Sequence, residues 1–288
     1  MIEQADPVAL GNYRAELGES PLWDAAHGRL LWLDILHFRL LSTDPATGAT
    51  GITELGRRAS AIAFEDDGGL VAAAGREIVR LGSGEVIATL PDTSLGRFND
   101  GKPDADGRFW VGTADPQGEP RGALCRLGPA GGLSPMLDGV RMSNGLGWSP
   151  DGRTMYYVDT GTRRLDAFDF DMAGGMLGQR RTMLELPPGH LPDGLTVDAD
   201  GRVWLAVWGS SLVLAIAPDG RIEREVRLPT LRPSSCTFGG PELRTLFITT
   251  AQQGATAEEL AADPLAGALF AFEPGVEGLP PERIRFRR

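Results

Sequence analysis

Six polar residues recur at one position of a repeated pattern: Glu19, Ser60, Asn99, Asn144, Asp193 and Ser234 each lie five residues before a turn begins. Two carboxylates, two amides and two hydroxyls suit a dry core poorly, because a buried polar group is costly unless satisfied. A cation would satisfy them together. The carboxylates would neutralise a divalent ion, and amide oxygens and water would complete a hard, all-oxygen shell of the kind Ca²⁺, Mg²⁺ or Mn²⁺ takes. The plainer alternative is a wet channel in which these groups bond water and backbone.

Other chemistries have little local support. His27, His37 and His190 are the only histidines, and none occupies the repeated position, so a histidine-rich zinc site would depend on loops. His190, three residues before Asp193, reads as a solvated loop residue. There is no G-x-S-x-G elbow, no Walker loop and no G-x-G-x-x-G helix opening.

The elements that must carry the six residues follow from the repeat. Turn-plus-strand units begin at Asp24, Glu65, Asp104, Ser149, Asp198 and Gly239, as in DADGRFWVGTA and DADGRVWLAVW. They are spaced by about 40 to 50 residues, a period typical of propeller blades. A short apolar segment precedes each turn, an alternating apolar run follows it, and two further strand-like segments complete each unit. The pattern predicts an all-β, six-bladed β-propeller of four-stranded blades, a single domain over residues 1–288. The first strand of each blade then lines the central channel, and the six polar residues face its axis. Only TAEELAAD, residues 256–263, has a helical pattern. An N-terminal strand around residues 8–18 is expected to complete the last blade, in competition with RIRFRR at the C-terminus for the same edge. The six tryptophans, Trp23, Trp32, Trp110, Trp148, Trp204 and Trp208, sit in or beside strands and are assigned to packing between blades.

Composition narrows the partners. Lys and Arg total 28 against 39 Asp and Glu, a net charge of −11 with no basic stripe, which argues against nucleic acid and anionic membranes. No run of apolar residues is long enough to span a bilayer, and the N-terminus lacks the basic and apolar regions of a signal peptide, so a cytoplasmic protein is expected. Cys125 and Cys236, distant in sequence and in apolar contexts, read as two buried thiols.

Four ordered segments carry a family resemblance: GESPLWD at 18–24, RFNDGKPDADGRFWVGT at 97–113, SNGLGWSPDGRTMYYVDT at 143–160 and PDGLTVDADGRVWLAVWG at 192–209. They resemble the family that unites gluconolactonase, regucalcin (senescence marker protein) and luciferin-regenerating enzyme. The resemblance implies one divalent ion in the channel, held by Glu19, Asn144 and Asp193. It also implies contacts from Arg97 and Asn99 to a sugar lactone, although Asn99 could instead reach the metal. The implied reaction is metal-dependent opening of an aldonolactone ring to the aldonic acid, with Asp193 transferring the proton. Ca²⁺ is the first choice of ion, with Zn²⁺, Mg²⁺, Mn²⁺ and Fe²⁺ as alternatives. Related members use a carboxylate beyond the Gly-Thr motif; here Gln117 stands at the nearest ungapped position, and neither Asp115 nor Glu119 is an assured replacement. Hydrolysis of an organophosphate ester is an alternative, as is a non-catalytic, metal-stabilised propeller that binds a protein partner.

Overall fold

Each turn of the repeat is built by the residue that opens it. In the computed structural model, which describes residues 6–115 and 117–286, Asp104 Oδ1 accepts the amide N–H groups of Asp106 and Arg108 at 3.1 and 3.0 Å. Its Oδ2 accepts the indole N–H of Trp110 at 2.8 Å. Asp198 repeats the device with the amides of Asp200 and Arg202 and the indole of Trp204. Thus D-x-D-G-R-x-W closes a turn and ties it to the next strand. The turn glycines, Gly107 at φ +82° and Gly201 at φ +86°, occupy the left-handed region that a side chain resists. Ser149 is the substitute in the fourth unit, its Oγ accepting from the Thr154 amide at 3.0 Å.

The strands form six four-stranded antiparallel sheets. The first strands are Gly18–Asp24, Ala59–Phe64, Arg97–Pro103, Ser143–Trp148, Leu191–Val197 and Pro233–Gly239. The sheets fall into two compact units. One contains the chain through Gly56 together with Pro188–Pro280, and the other contains Arg57–Pro187 and the tail from Pro281. The first, fifth and sixth sheets make up the former; the second, third and fourth make up the latter.

Within each unit the first strands of neighbouring sheets touch one another, so these are the inner strands. Apolar faces fill the space between sheets. Ala61, Val71 and Ile78 pack with Phe98, Phe109 and Val111 between the second and third, and Trp204, Val213 and Ala215 pack with Phe238, Leu246 and Ile248 between the fifth and sixth. Trp23, Trp110, Trp148 and Trp204 do what their positions predict. Trp110 packs edge-on against Trp148 and Phe170 of the next sheet, Trp204 against Phe238, and Trp23 stacks on Phe247 at 5.7 Å.

The competition at the last blade is decided for the N-terminus. Val8–Leu10 pairs antiparallel with Leu269–Ala271 as the outermost strand of the sixth sheet. The strand is shorter than expected, because Gly11 turns the chain at φ +60°. The described part of RIRFRR, residues 283–286, is not the sixth sheet's fourth strand. Ile284 instead forms a parallel bridge with Glu65 and is buried in the core between the second and third sheets, where its apolar side chain leaves water more completely than at an exposed edge. The helical segment forms as expected, Ala257–Ala262 with a Thr256–Glu259 capping box. Both cysteines are free and buried, and burial pushes the Cys125 thiol up to about 11.

Candidate functional site

Every inner strand breaks its pairing register at the polar position or beside it. The shifts fall between Ala59 and Ala61, Phe98 and Asp100, Ser143 and Leu146, Pro192 and Leu195, and Pro233 and Ser235. They span Ser60, Asn99, Asn144, Asp193 and Ser234. In the first sheet the shift lies between Glu19 and Leu22, immediately after the polar residue. A bulge takes a residue out of the ladder and re-aims its side chain, as is common beside active sites. The positions nominated by turn spacing alone are therefore the positions where the backbone departs from a regular strand.

Small residues let these bulged strands approach. A Cβ on Gly112 would lie 1.7 Å from Ser143 Oγ, and one on Gly194 2.1 Å from Ser235 Oγ. Either contact is far inside van der Waals distance, so the glycines of the G-T and D-G motifs are packing requirements.

In the second unit the polar residues join in one hydrogen-bonded chain. Arg97 donates through Nη1 to Asn99 Oδ1 at 2.8 Å and to the Phe98 carbonyl at 3.0 Å. Asn99 Nδ2 donates to Asn144 Oδ1 at 3.0 Å and to the Ser143 carbonyl at 2.8 Å. Asn144 Nδ2 donates to Thr160 Oγ1 at 2.7 Å. Thr160 thus fixes the orientation of a 6 %-exposed amide, keeping its Oδ1 on the side of Asn99. An amide oxygen has two lone pairs, so Asn144 Oδ1 retains acceptor capacity beyond the Asn99 contact.

Burial and the neighbouring charge of Arg58 bring the Arg97 guanidinium down to about 10. Asp100, beside Asn99, is pushed above the ordinary carboxylate range by burial, with Lys102 opposing. Ser60 is satisfied by the backbone, its Oγ donating to the Phe98 carbonyl at 3.1 Å.

In the first unit, Asp193 is 7 % exposed at the bulge of Leu191–Val197. Glu19 is half-buried on Gly18–Asp24, where its Oε2 accepts the Ser20 amide at 3.1 Å. Ser20 itself has φ +49°, uncommon for a residue with a side chain and concentrated at functional sites. Ser234 donates to the Gly18 carbonyl at 2.5 Å and contacts Thr249 Oγ1 at 2.9 Å, which makes it a link between inner strands.

Among the described residues no group of three or more His, Cys, Asp or Glu forms a metal cluster. The donor set anticipated from the motifs has two carboxylates and one amide oxygen, a hard set that fits Ca²⁺ or Mg²⁺ chemistry. The loop after Thr113 contributes less than it could. Asp115 is buried and its Oδ2 accepts the Glu119 amide at 2.8 Å, while Gln117 and Glu119 are exposed. His190 is half-buried, with a shielded Nδ1 that has no hydrogen-bond partner among the described residues, so it is less solvated than its loop position suggested. Thr160, Asp100 and Arg58 were not singled out by sequence. Asp100 and Arg58 lie one and two residues from the repeated position, which a closer reading of register exposes; Thr160 comes from the following strand's end and carries no local signal.

Six four-stranded antiparallel sheets with bulged, polar inner strands define a six-bladed β-propeller. A family model, the SMP-30/gluconolactonase/LRE-like region, matches residues 17–252. The chain belongs to this family. Regucalcin of Gallus gallus is 33% identical over 286 residues, covering 94% of this chain and 96% of the relative. The 6-deoxy-6-sulfogluconolactonase of Pseudomonas putida is 36% identical over 270 residues, covering 91% and 92%. The crystal structure of a calcium-binding protein, regucalcin, from Agrobacterium tumefaciens superposes with a TM-score of 0.88 at 26% identity, covering 99% of this chain and 98% of that one. No helix among the described residues is long and apolar enough to cross a membrane.

Proposed function

We propose that the protein is a metal-dependent hydrolase that opens a sugar lactone ring to the aldonic acid. The observation that carries this reading is the Arg97–Asn99–Asn144–Thr160 hydrogen-bond chain on bulged inner strands. It presents one fork of donors and one oriented amide oxygen. Membership of a lactonase-containing family supports the same reaction class.

Glu19, Asn144 and Asp193 would hold one divalent ion, with Ca²⁺ the best match to an all-oxygen set and to a relative described as calcium-binding. The ion, when bound, supplies Lewis acidity for the carbonyl or the attacking water. Arg97 offers a planar guanidinium to the carbonyl oxygen or the sugar hydroxyls, and its partial desolvation strengthens those bonds. Asn99 fixes the Arg97 fork from one side and the Asn144 amide from the other. Asp193 accepts a proton from the attacking water and returns it to the ring oxygen as the C–O bond breaks, leaving a free hydroxyl and a carboxylate. Its burial keeps competing bulk water away from this transfer.

The test is a panel of aldonolactones followed by proton release, run on chelated protein with each divalent ion restored in turn. Hydrolysis that requires the ion and disappears in Asp193→Ala is expected. Undiminished turnover after chelation would remove the metal from the reading; inertness toward the whole panel would remove the reaction.

A further inference from the structure

The pattern that nominated the inner ring also aligns the residues two positions before it: Leu17, Arg58, Arg97, Met142, Leu191 and Arg232. Three are arginines, and they are treated differently. Arg232 is neutralised, bonding Glu259 at 3.0 Å. Arg58 and Arg97 stand at equivalent places at the starts of adjacent inner strands of one unit, their backbones linked through one residue, Gly75: its amide donates to the Arg58 carbonyl at 2.9 Å, and its carbonyl accepts the Phe98 amide at 2.8 Å. Neither guanidinium has a carboxylate within 4.0 Å among the described residues. Arg58 Nε is shielded from solvent and has no hydrogen-bond partner.

Both guanidiniums are partly desolvated and the charge of Arg58 acts against that of Arg97, which is unfavourable by itself, since like charges repel and buried donors left unbonded cost free energy. Other half-buried arginines are paired with carboxylates, Arg80 with Glu65 and Arg202 with Asp198 among them. An oxyanion would satisfy both forks at once, because guanidinium donors match carboxylate, sulfonate and phosphate geometry bidentately.

We infer that Arg58 and Arg97 form an oxyanion clamp, and that the preferred substrate is a sugar lactone with a second, negatively charged group remote from the ring carbonyl. This rests on the lactonase reading and deepens it. Arg58 takes the charged group, while Arg97, tied to Asn99, bridges it to the reacting end. A neutral lactone would leave Arg58 unsatisfied and bind less well for that reason.

The experiment compares Arg58→Gln with the wild type on three lactones: one uncharged, one with a terminal carboxylate and one with a terminal phosphate. The ratio of kcat/KM for charged over uncharged substrate should fall by about 30-fold, mainly through KM, as expected when one partner of a desolvated charge contact is truncated. The carboxylate and phosphate arms identify which oxyanion fits. Arg58→Lys, which keeps the charge and loses the fork, should restore part of the ratio and serves if the Gln variant folds poorly. An unchanged ratio, or equal losses on all three substrates, would overturn the clamp. Calorimetric titration with an open-chain sugar diacid and the matching monoacid separates this from the hydrolytic reading. Arg58-dependent preference for the diacid in a protein that opens no lactone would uphold the clamp and sink the lactonase; lactone opening without that preference would do the reverse.

Discussion

The two three-sheet units have the same architecture and opposite chemistry at their inner strands. In the unit containing Arg57–Pro187 the repeated positions are Ser60, Asn99 and Asn144, flanked by Arg58 and Arg97, and hydrogen bonds run unbroken from Arg97 through Asn99 and Asn144 to Thr160. In the other unit two of the three corresponding positions hold carboxylates, Glu19 and Asp193, and the third is Ser234. One repeat therefore supports two division-of-labour roles: carboxylates suit cation binding and proton transfer, whereas neutral and cationic donors suit orientation of an oxygen-rich substrate. The backbone is broken by a bulge at five of the positions and immediately after the sixth, Glu19, so the difference lies in side chains placed on a common device.

The comparison is broken most severely by Asp193→Ala. Loss of the proposed proton acceptor and metal ligand should lower kcat/KM by at least about 10³-fold, the scale of general-base removal. Thermal unfolding should stay close to that of the wild type measured without metal, and a variant that still hydrolyses lactones at the native rate would assign the chemistry elsewhere. Asp104→Ala tests the repeat instead of the site. It leaves the buried Trp110 indole without its acceptor and removes the carboxylate that bonds Arg108 Nε, although Arg108 keeps Asp106 and the Met172 and Ala173 carbonyls, so a loss of about 2 kcal/mol is expected from denaturant midpoints.

A smaller effect is expected from Thr160→Val, which removes the acceptor of Asn144 Nδ2. If Asn144 ligates the ion as proposed, metal affinity read by calorimetry should weaken by about tenfold, the usual scale for an outer partner of a ligand, with kcat at saturating metal largely kept. An unaltered affinity would show that Thr160 does not orient the amide. Smallest of all, Arg181→Ala breaks an exposed ion pair with Asp169 and should change stability by less than about 0.5 kcal/mol. A larger loss would mean that the outer faces of the blades contribute more than their exposure suggests.

Much of this was legible in the chain because its information is local. D-A-D-G-R-x-W contains the turn, its glycine, the acid that caps it and the indole that the acid binds, all within seven residues. Repeating such a unit six times predicts the sheets, and counting back from each turn finds the residues at the bulges. Arg97 and Asn99 share one strand and were visible together. The contact of Asn99 with Asn144, 45 residues away, was not derivable from either motif alone. Nor was the fate of the C-terminal RIRFRR: as an amphipathic segment it suited an edge strand, and burial of Ile284 between two other sheets outweighed that option.

By itself the sequence determined the blade number, the strand order within the first five sheets, the turn chemistry and the residue types at the inner positions, since each depends on neighbours a few residues apart. Tertiary structure decided which terminal segment completes the sixth sheet, which hydroxyl orients Asn144, and which arginines remain without a carboxylate. Those outcomes depend on distances between segments remote in the chain, and on a competition for burial and hydrogen bonds that only the folded protein resolves.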